Sequence, residues 1–203
     1  MEKEYWDTFY KQEKTKSDIL PPSQFAAFTA GMLSTKESLI IDYGCGTGRD
    51  SIFLTNYAEK VIAVDQVSSI DISLIECNDK LMFCYPENLE SSIKKYKDKG
   101  LSIVIYARFF LHALNESEQN LFLDFCKELL SKGELLFFEF RTTEDEILEK
   151  ETKKHYRRYQ SLYHLCLNLK ERGFDIIYSI EGRGHAVYKK DDAIVARIVA
   201  KKI

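Results

Sequence analysis

One short segment constrains the fold of this chain more than any other. The apolar run 39–43 leads directly into three glycines at every second position, Gly44, Gly46 and Gly48. Such a run predicts a buried strand that enters a tight turn, and glycine permits the positive φ angles and close backbone approach that the turn requires. We expect a helix to begin near Arg49, so that its free N–H groups and its dipole face a ligand at the turn.

Beyond this turn, strand-like and helix-like runs alternate along the chain. The further predicted strands span residues 61–65, 81–84, 102–106, 134–140, 174–180 and 193–200. Their near-continuous apolarity favours strands covered on both faces, as in a parallel sheet. Apolar residues at three- and four-residue spacing predict helices after Ser23, after a capping box at Asn115 and over 162–169. The alternation predicts an α/β doubly wound fold with its ligand crevice at the carboxyl ends of the strands.

An acidic residue, Asp65, ends the second predicted strand, seventeen residues past Gly48. A carboxylate there can accept hydrogen bonds from both hydroxyls of a ribose. Dinucleotide-binding turns follow the pattern G-x-G-x-x-G, which places a glycine where this chain has Arg49, so the match to an NAD site is broken. Glycine turns also occur in α/β proteins without cofactors, but the glycines together with Asp42 and Asp65 favour a cofactor site.

Composition narrows the classes of function. A length of 203 residues fits one domain, and a net charge of −3 gives no electrostatic footprint for nucleic acid. No segment approaches the roughly 18 apolar residues of a membrane span, and the charged N-terminus lacks the apolar run of a signal peptide, which predicts a cytoplasmic protein. The five cysteines have no C-x-x-C pair and no nearby histidine at metal-ligand spacing, so we expect neither a metal site nor a disulfide.

The glycine turn and the acidic residue after it resemble a known family. Asp42-x-Gly44-x-Gly46-x-Gly48 followed by Asp65 is similar to the first two motifs of class I (Rossmann-like) S-adenosylmethionine-dependent methyltransferases, over roughly residues 39–140. The resemblance implies a seven-stranded sheet whose last strand is inserted antiparallel. It also implies that the glycines pass the methionyl part of the cofactor and that Asp65 holds its ribose. The predicted cofactor-binding residues are Tyr5, Trp6, Asp42, Gly44, Cys45, Gly46, Gly48, Arg49, Asp65, Gln66, Asn88 and Leu89.

Other stretches resemble one bacterial subgroup of that family, often encoded among cell-surface polysaccharide genes. They are Tyr5-Trp6-Asp7-x-Phe9-Tyr10, Pro22-Ser23-Gln24-Phe25-Ala26, Arg108-Phe109-Phe110-Leu111-His112, Glu139-Phe140-Arg141, His155-Tyr156-Arg157-Arg158-Tyr159 and Ala186-Val187-Tyr188-Lys189. This resemblance implies methylation of a small molecule. We divide the single domain 1–203 into an N-terminal helical cap (1–35), a cofactor-binding core (36–140) and an acceptor side with a lid, the last helix and strands (141–203).

Basic side chains gather at the predicted rim of the crevice. Arginine's planar guanidinium suits phosphate and carboxylate, which favours an anionic acceptor. The predicted catalytic residues are Arg108, His112, Arg141, His155 and Arg157, with Arg158 beside them. A hydroxyl acceptor makes one of the histidines useful as a general base, whereas a phosphoryl or carboxylate oxygen needs none. Two other interpretations stay open: a structural ion pair for Arg108 and His112, and a solvated helix face for 153–158.

The aromatic N-terminus has two interpretations as well. Tyr5 and Trp6 either cover the cofactor, since aromatic faces stabilise a sulfonium, or pack the first helix on the body. We prefer them as site residues. The sequence thus predicts an S-adenosylmethionine-dependent O-methyltransferase for a small anionic metabolite, such as a nucleotide-activated sugar or phosphoryl derivative for a surface glycan, with neither nucleic acid nor membrane as a partner. A nucleic-acid methyltransferase and a catalytically silent cofactor-binding regulatory or scaffold protein are the alternatives.

Overall fold

A computed structural model describes Thr8 and residues 21–33, 36–148, 156–188 and 190–203. The chain divides between Tyr106 and Ala107 into two compact units. The division of one domain 1–203 into cap, core and lid stays a prediction. None of the helices in the described ranges is long and apolar enough to cross a membrane.

The described residues form nine strands. These are β1 (Ser38–Tyr43), β2 (Lys60–Val64), β3 (Leu81–Cys84), β4 (Ser102–Arg108), β5 (Leu135–Arg141), β6 (Phe174–Gly182), β7 (Val187–Tyr188), β8 (Asp191–Asp192) and β9 (Val195–Lys202). Seven of them make one sheet in the order β3-β2-β1-β4-β5-β9-β6. β1 runs parallel to β2 and β4, β2 runs parallel to β3, and β9 runs antiparallel to both β5 and β6. The predicted fold class, a mostly parallel seven-stranded sheet with its last strand antiparallel, is confirmed.

Six α-helices have bounds within the described ranges, one before β1 and five between strands. They are α1 (Gln24–Met32), α2 (Arg49–Leu54), α3 (Ile72–Glu76), α4 (Leu89–Lys97), α5 (Glu116–Leu129) and α6 (Leu162–Glu171). Two of these helices, α1 and α5, begin at the capping residues that the sequence predicts. The Ser23 side chain accepts a hydrogen bond from the Ala26 N–H group at the start of α1, and Asn115 with Glu118 forms a reciprocal capping box at α5. Gly48 caps α2, which begins at Arg49 as predicted.

Several details differ from the sequence-based prediction. β4 continues to Arg108, two residues beyond its predicted end, and α3 and α4 lie where the sequence patterns predict no helix. β6 continues to Gly182, two residues beyond its predicted end, and β9 spans Val195–Lys202 rather than 193–200. The antiparallel hairpin of β7 and β8 was missed, because two-residue strands are too short to show the alternation that identifies a strand.

The unit that ends at Tyr106 has its core on β1 and β2. Leu39, Ile40 and Ile41 of β1 are fully buried, as are residues 61–64 of β2. Helix α2 packs against these two strands, and α1 packs against α2. The apolar runs of β1 and β2 therefore correspond to buried strands, and the glycine turn leaves this core at the end of β1. The prediction of strands covered on both faces is wrong for β6, in which exposed and half-buried residues alternate after Phe174.

Candidate functional site

The glycine turn between β1 and α2 has the geometry that its spacing predicts. Gly44, Gly46 and Gly48 all have left-handed backbone, with φ angles of 81°, 56° and 76°. A Cβ atom on Gly48 would lie 2.8 Å from two carbons of the Ile70 side chain. The N–H group of Gly44 donates to the carbonyl oxygen of Val64 at 2.8 Å, which ties the turn to the end of β2. The left-handed backbone therefore favours glycine at Gly48, and a side chain there would also have to displace that of Ile70.

Asp65 follows β2 and holds the same turn. Its Oδ2 accepts a hydrogen bond from the Gly46 N–H group at 3.0 Å, and its Oδ1 accepts one from the Val67 N–H group at 3.1 Å. The side chain is only 9% exposed, and burial raises the pKa of its carboxyl, while the backbone N–H groups oppose that rise. The backbone N–H groups of Gly46, Val67 and Gln66 use three of the roughly four acceptor positions of a carboxylate, so the Asp65 side chain can still accept a bond from a ribose hydroxyl. The structure thus brings Asp65 and the glycine turn together.

The predicted residue next to Asp65 has a polar atom without a protein partner. Solvent does not reach Nε2 of Gln66, and this atom makes no hydrogen bond within the described part of the chain. A buried amide donor is normally satisfied, so a ligand acceptor at this point would remove the cost of leaving it unpaired. This orphaned donor beside Asp65 fits a nucleoside ligand.

Three other predicted cofactor residues differ in their surroundings. Burial raises the pKa of the Cys45 thiol well above its ordinary value, and the nearby carboxylates of Asp42 and Asp65 add to the rise, so the thiol stays protonated. Cys45 therefore contributes packing rather than a nucleophile.

Asn88 and Leu89, the predicted adenine contacts, differ in exposure. Asn88 is exposed at the end of a 3-10 turn, whereas Leu89 is buried at the start of α4.

Asp42 is hydrogen-bonded to another part of the protein, the first turn of α2. Its side chain is buried, and its Oδ2 accepts a hydrogen bond from the Ser51 hydroxyl at 2.5 Å, which fixes the first turn of α2 to β1. Arg49, at the start of that helix, lies 3.6 Å from Asp50 through its Nε. The roles of Ser51 and Asp50 were not predicted, because no periodic pattern marks a contact between a strand and the following helix.

In the unit from Ala107 onward, Glu139 joins two arginines. This fully buried side chain accepts a hydrogen bond from Nε of Arg108 at 2.9 Å and one from Nε of Arg197 at 2.8 Å. Burial raises the pKa of Glu139, and the two guanidinium groups oppose the rise. Arg108 thus forms a structural ion pair, which is one of the two interpretations of this residue, although 19% of its side chain stays exposed.

Phe109, whose ring contacts both Arg108 and Arg141, has an unusual backbone conformation. Its φ angle is 54°, in the left-handed region that a bulky side chain rarely adopts. The guanidinium carbons of Arg108 and Arg141 lie 4.4 and 5.7 Å from the centre of its ring, and its N–H group donates to the carbonyl oxygen of Glu139 at 2.8 Å. Cation–π contacts and this hydrogen bond hold the strained residue in place. Sequence patterns carry no signal for such a conformation.

Arg141 is held by two acidic residues. Its Nη1 donates to Asp145 at 2.7 Å and its Nη2 donates to Asp191 at 2.6 Å, while its side chain is 9% exposed. Burial opposes the charged form, but the hydrogen bonds and charges of Asp191 and Asp145 outweigh it and raise the arginine pKa. The guanidinium therefore stabilises a junction between β5, the 3-10 turn Thr143–Asp145 and β8. Its predicted role in acceptor binding stays a prediction.

The remaining predicted acceptor residues have mixed surroundings. His112 is only 3% exposed, and its ring centre lies 5.3 Å from that of Phe109. Arg158 donates from its backbone N–H to the His112 carbonyl oxygen at 2.8 Å and from its Nε to the Leu114 carbonyl oxygen at 3.0 Å, so it holds its own segment in place. Arg157 is half-buried. His155, Tyr5 and Trp6 lie outside the described residues, and their roles stay predictions.

Comparison with known proteins identifies the fold. No family model and no curated protein matches this chain. An S-adenosylmethionine-dependent methyltransferase from Anabaena variabilis is 18% identical, with a TM-score of 0.68 over 98% of this chain and 93% of that one. A glycopeptide N-methyltransferase, also solved with sinefungin, is 14% identical, with a TM-score of 0.63 over 92% of this chain and 99% of that one. The 4+2 cyclase SpnF is 13% identical, with a TM-score of 0.65 over 88% of this chain and 80% of that one. This chain therefore has the fold that S-adenosylmethionine-dependent methyltransferases share with that cyclase.

Proposed function

We propose that this protein is an S-adenosylmethionine-dependent methyltransferase. The observation that carries the proposal is the joint geometry of the glycine turn and Asp65, in which Gly46 is hydrogen-bonded to a buried carboxylate that keeps acceptor capacity. The fold is consistent with this function, since several solved structures that share it are described as methyltransferases. The cyclase among them shows that this fold does not by itself determine the reaction.

Different residues in and after the turn bind different parts of the cofactor in this proposal. Gly44 and Gly46 leave room for the methionyl part to approach the backbone, Gly48 lets the chain turn beside Ile70, and Asp65 accepts hydrogen bonds from the ribose hydroxyls. Gln66 offers its unpaired amide N–H beside the ribose. We assign the adenine to the neighbourhood of Asn88 and Leu89, as the sequence resemblance implies. The bound cofactor supplies an electrophilic methyl group on a sulfonium, and the protein's part is to align an acceptor with it.

For the acceptor, we propose a small anionic metabolite that is methylated on oxygen. Arg108 supports this proposal, because Glu139 fixes the direction of its guanidinium while part of the side chain stays exposed. Arg157 is the second candidate, since it is half-buried, whereas both terminal nitrogens of Arg141 already donate to carboxylates. A nucleotide-activated sugar for a surface glycan rests on the sequence resemblance alone.

Calorimetry tests the cofactor proposal. We expect the purified chain to bind S-adenosylhomocysteine with a micromolar or smaller Kd and to show no comparable affinity for NAD or NADP. Preferred binding of NADPH would refute the methyltransferase assignment. A transfer assay then separates an enzyme from a silent binding protein, through release of S-adenosylhomocysteine with nucleotide sugars, phosphoryl compounds, neutral sugars and RNA as acceptors. Turnover of RNA or of neutral sugars alone would contradict the anionic small-molecule acceptor.

A further inference from the structure

Asp50, two residues after Gly48, is hydrogen-bonded to two distant parts of the chain, Ser23 and Tyr106. Its Oδ1 accepts a hydrogen bond from the Ser23 N–H group at 2.8 Å, and its Oδ2 accepts bonds from the Ser23 hydroxyl at 2.7 Å and the Tyr106 hydroxyl at 2.8 Å. All three residues are buried. We call this group, Ser23, Asp50 and Tyr106, the Asp50 junction. Bonds to a buried carboxylate are among the stronger hydrogen bonds in proteins.

One side of the junction holds the beginning of α1. The Ser23 oxygen that donates to Asp50 also accepts from the Ala26 N–H group at 3.0 Å, so the residue that caps α1 is itself bound to Asp50. The ring of Phe25, in the first turn of α1, stacks on the ring of Tyr106 with centres 4.9 Å apart. The start of α1 therefore depends on the junction for its position.

The other side of the junction holds the beginning of α2. Asp50 lies in the first turn of α2, two residues after Gly48, and its neighbour Ser51 is bonded to Asp42 of β1. Two carboxylates thus fix the turn of helix whose N–H groups border the glycine loop. A shift of Asp50 would move Gly48, which lies two residues earlier and whose left-handed backbone, with a φ angle of 76°, is part of the glycine turn.

We propose that Asp50 is a positioning residue that couples the docking of α1 to cofactor binding at the glycine turn. This inference rests on the function proposed above. Because binding and docking are linked equilibria, a ligand that needs the turn in its present geometry must also favour docked α1, and loss of docking must weaken that ligand by the same factor. Asp50 acts here through the backbone of the turn, without contact to the ligand.

Hydrogen exchange and calorimetry on the full chain test the coupling, with S-adenosylhomocysteine as the probe. We expect the probe to slow amide exchange in residues 24–32 of the unaltered protein. Asp50→Asn and the milder Tyr106→Phe should raise the Kd of the probe about 5- to 20-fold and reduce or abolish its effect on exchange in α1. Asp71→Asn is the matched control, since Asp71 also accepts bonds from a serine hydroxyl and a backbone N–H group, but at the exposed start of α3. It should leave both readouts unchanged.

The outcomes separate this inference from the function on which it rests. Unaltered protein that does not bind the probe refutes the proposed function, and the coupling with it. Probe binding that leaves exchange in α1 unchanged refutes the coupling alone. A Tyr106→Phe variant that stays folded and binds the probe with unaltered Kd also refutes it. A merely structural role for Asp50 would lower thermal stability without removing the response of α1 to the probe.

Discussion

Replacing Arg141 tests whether this residue is structural. In Arg141→Met, the carboxylates of Asp145 and Asp191 lose the guanidinium that lies 2.7 and 2.6 Å from them. Asp145 is fully buried and Asp191 nearly so, which leaves two charges without a counterion in the protein interior. Removing one partner of a buried ion pair costs about 3–5 kcal/mol. For a chain of this length, that corresponds to a fall in Tm of roughly 6–20 °C.

Urea denaturation followed by circular dichroism at pH 7 measures the loss of stability, as the difference in the free energy of unfolding between the variant and the unaltered protein.

The matched control is Arg172→Met, which removes an ion pair with the 56% exposed side chain of Asp124 and two weaker hydrogen bonds, to Asn120 and Asn168, each 3.3 Å long. Exposed pairs contribute at most about 1 kcal/mol, so this variant should unfold close to the unaltered protein. A folded Arg141→Met protein with unaltered stability and weakened acceptor binding would refute the structural assignment. It would restore Arg141 to the acceptor site that the sequence predicts.

Two further predictions concern the glycine turn. Gly48→Ala and Gly100→Ala both place a side chain on left-handed backbone, at a cost of about 1 kcal/mol. The new Cβ of Gly48→Ala also meets Ile70, whereas that of Gly100→Ala has no atom within 4 Å. Gly48→Ala should therefore lower the free energy of unfolding, measured by urea denaturation, by about 1–3 kcal/mol more than Gly100→Ala. Equal losses would show that Ile70 does not constrain the turn. Burial raises the Asp65 pKa above its ordinary 3.8. As the pH falls, affinity for S-adenosylhomocysteine should therefore begin to decline at a higher pH than it would if the ribose were held by an exposed aspartate. Asp65→Asn should bind about 10-fold or more weakly with a flat profile over that range in calorimetry, and a pH profile like that of the unaltered protein would place the titrating group elsewhere.

The fold and the glycine turn could be predicted because their signals are local. A buried parallel strand shows as a continuous apolar run, and helix starts show as caps, as at Ser23 and Asn115, within a few residues of the helix. The turn needs glycine wherever its backbone is left-handed, so spacing alone marked Gly44, Gly46 and Gly48. Asp65 could be placed beside the turn because neighbouring parallel strands end at the same edge of the sheet.

The partners of charged side chains were decided only by the tertiary structure. Arg141 is bonded to Asp191, fifty residues later, and Arg197 reaches Glu139 across fifty-eight. An arginine near the end of a strand is the same in sequence whether it binds a ligand or an internal carboxylate. The difference depends on which distant acidic residue the fold brings within about 3 Å, and no periodicity or spacing in the chain encodes that distance.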